Sequence, residues 1–485
     1  MAFGDNAFTP TMLEQTLFRM ARLHPAKAQF ARMGETSKWF RTQAEVFRGK
    51  MFHFYAFTTP STGVRSSDFS TALTAAFPAA SQPAYQELTY KYSDLTFFQG
   101  MTKFNEIADI QSDNLQESVF KLANRLYGGL MQDFADRHNR AIHTATNCQM
   151  GTVAAIYDED GTSYSSGQAD AFLQVTDGSI GQFLKGQSLK LNNSETVTVN
   201  DVIYGKDGPW SGGTRVSSIG PGIVVTTATS NLDGGQVTDS ITMSGETTGD
   251  NYAGLPSWFS GTTDVYYDGD HNAIDRDSKG YGWSIPEIFD NGGSAAVFDP
   301  DTHLREVAEV LPFRVNAGRT GRNALGDIQS VEEGMNLPAS LVAITTPSLA
   351  MEATTYAADS QRFMVTSSTS MDAAQRQELF GQTGFAGFVW HCPNLPPIAI
   401  VADKAARPQK INICDPQSWF YLTIGGQQIN WLTEGNGLKL TRVTDYSSDD
   451  RPTFFLQAGA WTARQLVCDQ PGANIEIDDV KSSTD

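Results

Sequence analysis

Residues 112–147, SDNLQESVFKLANRLYGGLMQDFADRHNRAIHTATN, constrain the fold more than any other stretch. Leu115, Val119, Leu122, Leu126, Leu130 and Phe134 recur at steps of three and four, which puts one apolar stripe along a single helix. Ser112 is placed to cap it, and Asp113 falls in the first turn, where negative charge meets the positive end of the helix dipole. The predicted helix is about twice the average length. Gly128 and Gly129 each cost roughly 1 kcal/mol relative to alanine, so a close packing partner or a bend is expected there.

The segments before this helix read as strand. KMFHFYAF (50–57) and YQELTYKYSDLTFF (85–98) are aromatic-rich, with short runs of alternation. Between them residues 58–84 are rich in Ser, Thr, Ala and Pro, and a connection that long inside a compact domain tends to be functional. A two-stranded ribbon is marginal in water on its own, so this one is expected to rest on another chain. Upstream, Arg19, Arg22, Lys27, Arg32, Lys38, Arg41 and Arg48 alternate with Leu13, Leu17, Phe18, Phe30, Trp39 and Phe40. Pro25 and Gly34 interrupt the helical periodicity. Two readings stay open for residues 11–48: a helix packed on the core, or an extended arm lying on a partner.

After the helix the pattern becomes short strands and turns. SLKLNN, TVTVNDVIY, TRVSSI, GIVVTTA and DSITMSG recur at the spacing of a small barrel or sandwich, punctuated by Asp-Gly and Gly-Gly turns. Residues 150–250 therefore read as an inserted all-β module that enters and leaves at nearby points. Beyond it come predicted helices at 301–315 and 326–334 and a buried strand at 339–348. Further strands are GFVWH (387–391), PIAIVAD (397–403), WFYLTI (419–424) and LKLTRVTDY (438–446). The tail holds a long pair, PTFFLQAGAWTARQLVCDQP and ANIEI, within 452–477. Helices early and strands late, without regular βαβ alternation, indicate an α+β fold.

Composition narrows the function. A chain of 485 residues with 54 acidic against 35 basic side chains carries a formal charge of −19. Such a surface repels duplex DNA and anionic lipid, which argues against sequence-specific nucleic-acid binding. The 40% hydrophobic content, with 29 Phe, 15 Tyr and 8 Trp, supplies sizeable cores and excludes global disorder. Length predicts two to four modules. Cys148, Cys392, Cys414 and Cys468 show no CxxC spacing, as expected of buried reduced thiols in a cytosolic setting. MAFGDNAFTP has no basic and apolar signal pattern, and no run of 18 apolar residues occurs, so a soluble protein made in a cytoplasm is expected.

Enzyme motifs fail. GxxxxGK[ST], GxGxxG after a strand, HExxH and GxSxG are all missing. His138 and His143 lie five apart on the helix and so do not share a face; they read as surface or core histidines. His391 and Cys392, with Cys414 downstream, lack the two further ligands a zinc site needs. The acidic clusters DEDG (158–161) and SSDD (447–450) read as solvated turns. DGDHNAIDRDSKG (268–280) begins like a calcium loop, with Asp268, Asp270 and Asn272 at alternate positions. Its sixth position is Ala273 where glycine is required, and its twelfth is Lys279 where a bidentate glutamate is required. It reads as a structural acidic connection, and no catalytic residue, cofactor or metal is expected.

The order of parts carries a resemblance. An arm, a two-stranded ribbon, a long helix, an inserted β-module and a late α+β region follow one another. The closing pattern is an apolar strand ending in Asp403, a DPQSW turn, a polar hairpin and a long strand ending in Cys-x-x-Pro. Residues 254–284, GLPSWFSGTTDVYYDGDHNAIDRDSKGYGWS, are similar to the stretch where such chains return from an insertion. The whole resembles the major capsid proteins of tailed bacteriophages, with the HK97-type fold. Encapsulin shells share that fold; the β-insertion and the length make the phage capsid the better match.

That resemblance implies an α+β HK97-like capsid fold with an inserted small all-β domain. Its parts would be an N-terminal arm (1–45), an E-loop ribbon (46–98), a P-domain with the spine helix (99–150) and the insertion (151–253). A return to the P-domain (254–315), an A-domain (316–440) and C-terminal strands (441–485) would complete it. It implies assembly with itself into hexamers and pentamers of an icosahedral shell, with a portal protein at one vertex and, in some members, a decoration or cement protein. No membrane is involved; the chain would reside in the virion after assembly in the bacterial host cytoplasm. With the ribbon starting within fifty residues of Met1 there is no room for a cleaved scaffolding segment, so a separate scaffolding protein, or assembly without one, is expected. The inserted module either faces outward or braces neighbours, and the exterior is preferred. Inter-subunit contacts are expected at Arg32, Trp39, Phe40, Arg41, Lys50, Arg65, Lys91, Asp275, Arg276 and Asp277. Lys50 and Lys91 lie in or beside the ribbon, but no partner Asn is identified and no crosslink is expected. Two other classes fit the sequence less well. A β-rich surface adhesin or virion decoration protein fits the long helix and the cysteines poorly, and a metal-assisted hydrolase lacks a convergent ligand set.

Overall fold

The computed structural model describes residues 36–42, 51–59, 84–105, 115–144, 149–158, 164, 170–176, 180–191, 195–203, 210–211, 214–215, 222–227, 239–243, 252–260, 265–274, 286–291, 295–318, 341–360, 388–390, 397–424, 430–431, 433–434, 437–438, 440–442, 455–468 and 471–482. The predicted helix at 326–334 lies outside them, as do Cys148, His391 and Cys392. A short strand β1 (Arg41–Thr42) precedes an antiparallel ribbon of β2 (Met51–Thr59) and β3 (Ala84–Lys91). The stretch 85–98 is not one strand. A 3-10 turn at Tyr92–Asp94 breaks it, because the Asp94 carboxylate turns back to accept the Lys91 N–H at 2.6 Å. The chain resumes as β4 (Thr96–Asn105) and then forms the long helix α1 (Leu115–His143).

Helix α1 packs on β4, and the glycine that permits this contact lies in the strand. A Cβ at Gly100 would sit 2.8 Å from Leu130 Cδ1 and 2.9 Å from Phe134 Cε2. Gly128 and Gly129, where close packing was expected as one alternative, have open space around them. Leu130 and Phe134 of the predicted stripe are buried in the largest core, with Met131, Ala135 and Ile142.

Next comes a closed barrel of β5 (Gly151–Tyr157), β6 (Asp170–Thr176), β7 (Ser188–Leu191), β8 (Glu195–Ile203), β9 (Gly222–Thr227) and β10 (Ser240–Met243). The strands close in the order β9, β6, β5, β10, β7, β8. Period-two patterning drives closure: Leu189 and Leu191, Val197 and Val199, and Ile223 and Val225 fill a separate core, while Lys190 and Thr198 face outward and Val224 joins Phe172 and Ile203 in a small second cluster. The barrel starts a few residues after α1. The chain returns from it at helix α2 (Leu255–Phe259), beside the same helix end. A Cβ at Gly254 would run into the carbonyl oxygens of Thr144, Ala141 and Ile142, so the return segment passes against the end of α1.

The remaining chain contributes to two six-stranded sheets. It supplies β11 (Glu287–Asp290), α3 (Pro300–Gly318), β12 (Leu341–Thr345), α4 (Pro347–Ser360), β13 (Phe388–Trp390), β14 (Ile398–Ala402) and β15 (Ile411–Cys414). The last strands are β16 (Trp419–Thr423), β17 (Phe455–Cys468) and β18 (Ile475–Asp478). In the first sheet the long β17 pairs along one edge with β4 and along the other with β16 and short strands at 430–431 and 440–442. The second sheet runs β11, β18, β15, β12, β14, β13, with Leu304, Val307 and Leu311 of α3 and Leu349 and Ala353 of α4 covering it. The tail strands predicted as a pair thus sit in different sheets, separated by a 3-10 turn at Pro471–Ala473. The fold is α+β, with strands predominating. Among the described residues no helix is long and apolar enough to cross a membrane.

Candidate functional site

Among the described residues, three buried polar clusters and one surface loop bring together the side chains of most interest. The first lies where the C-terminal end of α1 meets the residue after β14. Asp403 is fully buried. Its Oδ1 accepts the Ala405 N–H at 2.8 Å and Asn139 Nδ2 at 3.1 Å; its Oδ2 accepts Asn139 Nδ2 at 2.9 Å and faces His143 Nε2 at 3.1 Å. Thr36 completes the cluster. Its hydroxyl donates to Asp403 Oδ2 and lies 2.9 Å from His143 Nε2, while its N–H donates to Asn139 Oδ1 at 3.2 Å. Burial by itself favours the neutral acid, but His143 and the hydrogen bonds from Thr36 and Ala405 hold the Asp403 carboxyl well below the usual carboxylate range.

Threonine, histidine and aspartate together invite comparison with a nucleophile–base–acid relay. In such a relay the hydroxyl and the carboxylate occupy opposite ring nitrogens. Here both approach Nε2, and Thr36, His143 and Asp403 are all shut off from solvent. The arrangement fastens three parts of the chain together.

The second cluster uses the other helix histidine, on a different face as the five-residue spacing requires. His138 Nε2 lies 3.2 Å from the Tyr252 hydroxyl, and its ring meets Phe98, Tyr252 and Tyr421 edge-on. Burial, and then the nearby Arg464 charge, push its pKa well below the ordinary histidine value. Arg464 is itself buried in β17, with its guanidinium 5.9 Å from the Tyr421 ring centroid; burial lowers its pKa to about 10. The third cluster joins the DPQSW and CDQPGAN turns. Asn474 Oδ1 accepts Trp419 Nε1 at 2.8 Å and the Asp415 N–H at 2.9 Å, and its amide donates to Pro471 O and Ser418 Oγ, both at 3.3 Å.

In the loop that opens like a calcium site, the Asp268 carboxylate is turned onto its own backbone. Oδ1 accepts the N–H groups of Asn272 at 2.8 Å and Asp270 at 3.0 Å, and these hydrogen bonds lower its pKa. His271, at φ +66°, stacks on Tyr267 and faces Asp94 Oδ1 at 3.3 Å. The Thr89 N–H donates to Tyr267 O at 2.8 Å. The loop is therefore a small hairpin that braces the base of the ribbon. Among the described residues no group of three or more His, Cys, Asp or Glu could hold a metal ion.

The expected contact residues are scattered across this framework. Phe40, predicted as an inter-subunit contact, is buried in the chain's own core, 5.5 Å from the Trp419 ring and 6.2 Å from that of Tyr421. The apolar gain from its own sheet occupies the side chain. Trp39 packs half-buried against the same core. Arg41 lies in β1, which runs parallel to β16, and Lys91 ends β3 with its side chain partly exposed. Arg32, Lys50, Arg65, Asp275, Arg276 and Asp277 lie outside the described residues. Sequence reasoning missed Thr36, Asn139 and Asn474, since a lone Thr or Asn carries no motif. It also missed the outer face of β4, where Phe97 is 50% and Met101 63% exposed. Their i, i+4 spacing, alternating with buried Phe98, was the available signal.

No protein-family model matches the chain, and no curated protein does. Among solved structures it is similar to the cyanophage A-1(L) capsid asymmetric unit, at 11% identity and TM-score 0.45, over 99% of this chain and 97% of that one. It is also similar to the capsid of a native GTA particle, at 11% identity and TM-score 0.37, over 93% and 91% of the two chains. A third similar structure is the satellite phage P4 procapsid, at 8% identity and TM-score 0.37, over 99% and 94%.

Proposed function

We propose that the chain is the major capsid protein of a tailed bacteriophage, a structural subunit that self-assembles into hexamers and pentamers of an icosahedral shell around a double-stranded DNA genome. The observation that carries this reading is the β2–β3 ribbon. Among the described residues it pairs with no third strand, and Phe52, Leu88, Tyr90 and the 265–274 hairpin brace its base. A ribbon of that kind is marginal alone and gains its stability from a surface on a neighbour. The exposed Phe97 and Met101 on β4 supply apolar surface of the kind a neighbour would cover. Head-to-tail contacts of this sort close into rings when the rotation permits.

In this reading residues 1–45 are the arm, 46–98 the E-loop, and 99–150 with 254–315 the P-domain; 316–440 form the A-domain and 441–485 the last strands. The barrel, within 151–253, faces the exterior. The charge of −19 keeps the shell wall from gripping packaged DNA, and a densely basic inner face would contradict that. A portal protein, a separate scaffolding protein and a decoration protein are the partners, and the chain resides in the virion after assembly in the host cytoplasm. Expression alone or with its gene neighbours, followed by sedimentation and electron microscopy, tests the reading. Closed shells or capsomers are expected; a persistent monomer under all these conditions would overturn it.

A further inference from the structure

Residues 36–42 pack against the end of α1, the turn after β14 and strand β16. Asn139 and His143 stand on the last turns of α1, and Asp403 and Ala405 on the turn after β14. Together they orient the Asp403 carboxylate through donors that do not come from the docked segment. What remains to be filled is one hydroxyl and two backbone N–H groups. Thr36 donates its hydroxyl to Asp403 Oδ2, and the N–H groups of Thr36 and Ser37 donate to Asn139 Oδ1 at 3.2 and 3.4 Å. Three residues on, Phe40 supplies an apolar anchor on Trp419, and the Tyr421 hydroxyl donates to Ser37 O at 3.3 Å. Arg41 and Thr42 then pair with Phe420 and Tyr421. The polar and apolar anchors sit on opposite sides of one short turn, so together they fix direction as well as position.

We propose that Asp403, Asn139 and His143 form a docking site for the chain's own Thr36–Thr42 segment, and that docking of this segment controls assembly of the subunit with its copies. The assembly step rests on the capsid reading; the docking site does not. Thr36 is a positioning residue: its hydroxyl enters the carboxylate site. Valine keeps its shape and loses the hydroxyl, whereas serine keeps the hydroxyl.

The test compares the full-length wild type with Thr36→Val and Thr36→Ser. Native trypsin digestion is followed by mass spectrometry at Lys38 and Arg41, inside the docked segment, and at Arg464, buried in β17. A hydrogen bond to a charged group supports an acceleration of about tenfold or more at Lys38 and Arg41 in Thr36→Val. Cleavage at Arg464 should be unchanged, and Thr36→Ser should restore wild-type protection. Equal rates at Lys38 and Arg41 in wild type and Thr36→Val would overturn the docking site. Sedimentation then reads assembly: Thr36→Val is expected to lose shells that Thr36→Ser still forms. Shells from Thr36→Val in wild-type yield would overturn the assembly step. If the wild type forms none, that step falls together with the capsid reading, while the trypsin result still decides the docking site.

Discussion

Trp419 Nε1 donates a 2.8 Å hydrogen bond to Asn474 Oδ1 across the junction of the two sheets. Trp419 opens β16 of the first sheet, and Asn474 immediately precedes β18 of the second. Both are fully buried. Asn474→Leu keeps the volume but leaves the Trp419 and Asp415 N–H groups without this acceptor. Each stranded donor costs about 1–3 kcal/mol, so urea unfolding should show a loss of roughly 2–6 kcal/mol, and Trp419→Phe should lose less.

Glycines on the two sides of the helix–strand contact should respond with opposite signs. Gly100→Ala forces Leu130 and Phe134 away from β4 and should destabilise by about 1–3 kcal/mol. Gly129→Ala meets open space on an exposed helix surface and should stabilise by up to roughly 1 kcal/mol. Thermal melts of the two variants beside the wild type check both.

The pH dependence follows from two buried groups. His138 has a depressed folded pKa, so between that value and about 6.5 the unfolded chain binds more protons than the folded one. It therefore subtracts stability as pH falls below about 6.5, and His138→Gln should flatten that part of the curve. Asp403 is also depressed, so its contribution is complete above about pH 4 and is lost only in stronger acid. Denaturant midpoints measured from pH 8 down to 3 separate the two; no change of slope in His138→Gln would contradict the assignment.

Cys414 and Cys468 are both buried, and burial pushes the Cys414 pKa well above its ordinary value. Reactivity needs an accessible thiolate. Peptides carrying these two cysteines should stay unlabelled by a thiol reagent in the native chain and label fully in denaturant, as read by mass spectrometry.

The Asp268 loop should be indifferent to metal. Its carboxylate is already engaged by the Asp270 and Asn272 N–H groups. Neither a chelator nor added calcium should move the melting temperature, and a calcium-dependent rise would show that the loop opens to bind the ion.

Much of the architecture was legible because local pattern governs it. The steps of three and four around Leu130 and Phe134 define α1, and the alternation at Leu189–Leu191 and Val197–Val199 defines barrel strands, since each period decides which side chains share a face. Asp403 was visible as the end of an apolar strand, and His138 and His143 were correctly assigned to different helix faces. Local pattern was silent on what each of these residues meets. Thr36 reaches Asp403 across 367 positions, and nothing near either residue encodes the other. The tail strands look like a pair in sequence, yet β17 takes β4 and β16 as partners while β18 takes β11 and β15. Close packing was sought at Gly128 and Gly129 and found at Gly100, because clearance depends on the surface brought opposite. By itself the sequence determined α1, the barrel strands and most of the later strands, the α+β class and the net acidic charge, but not α2 or α4. The tertiary structure alone decided which buried polar groups satisfy one another, which strands share a sheet and that Phe40 is spent inside the subunit, because those outcomes are set by residues distant in the chain.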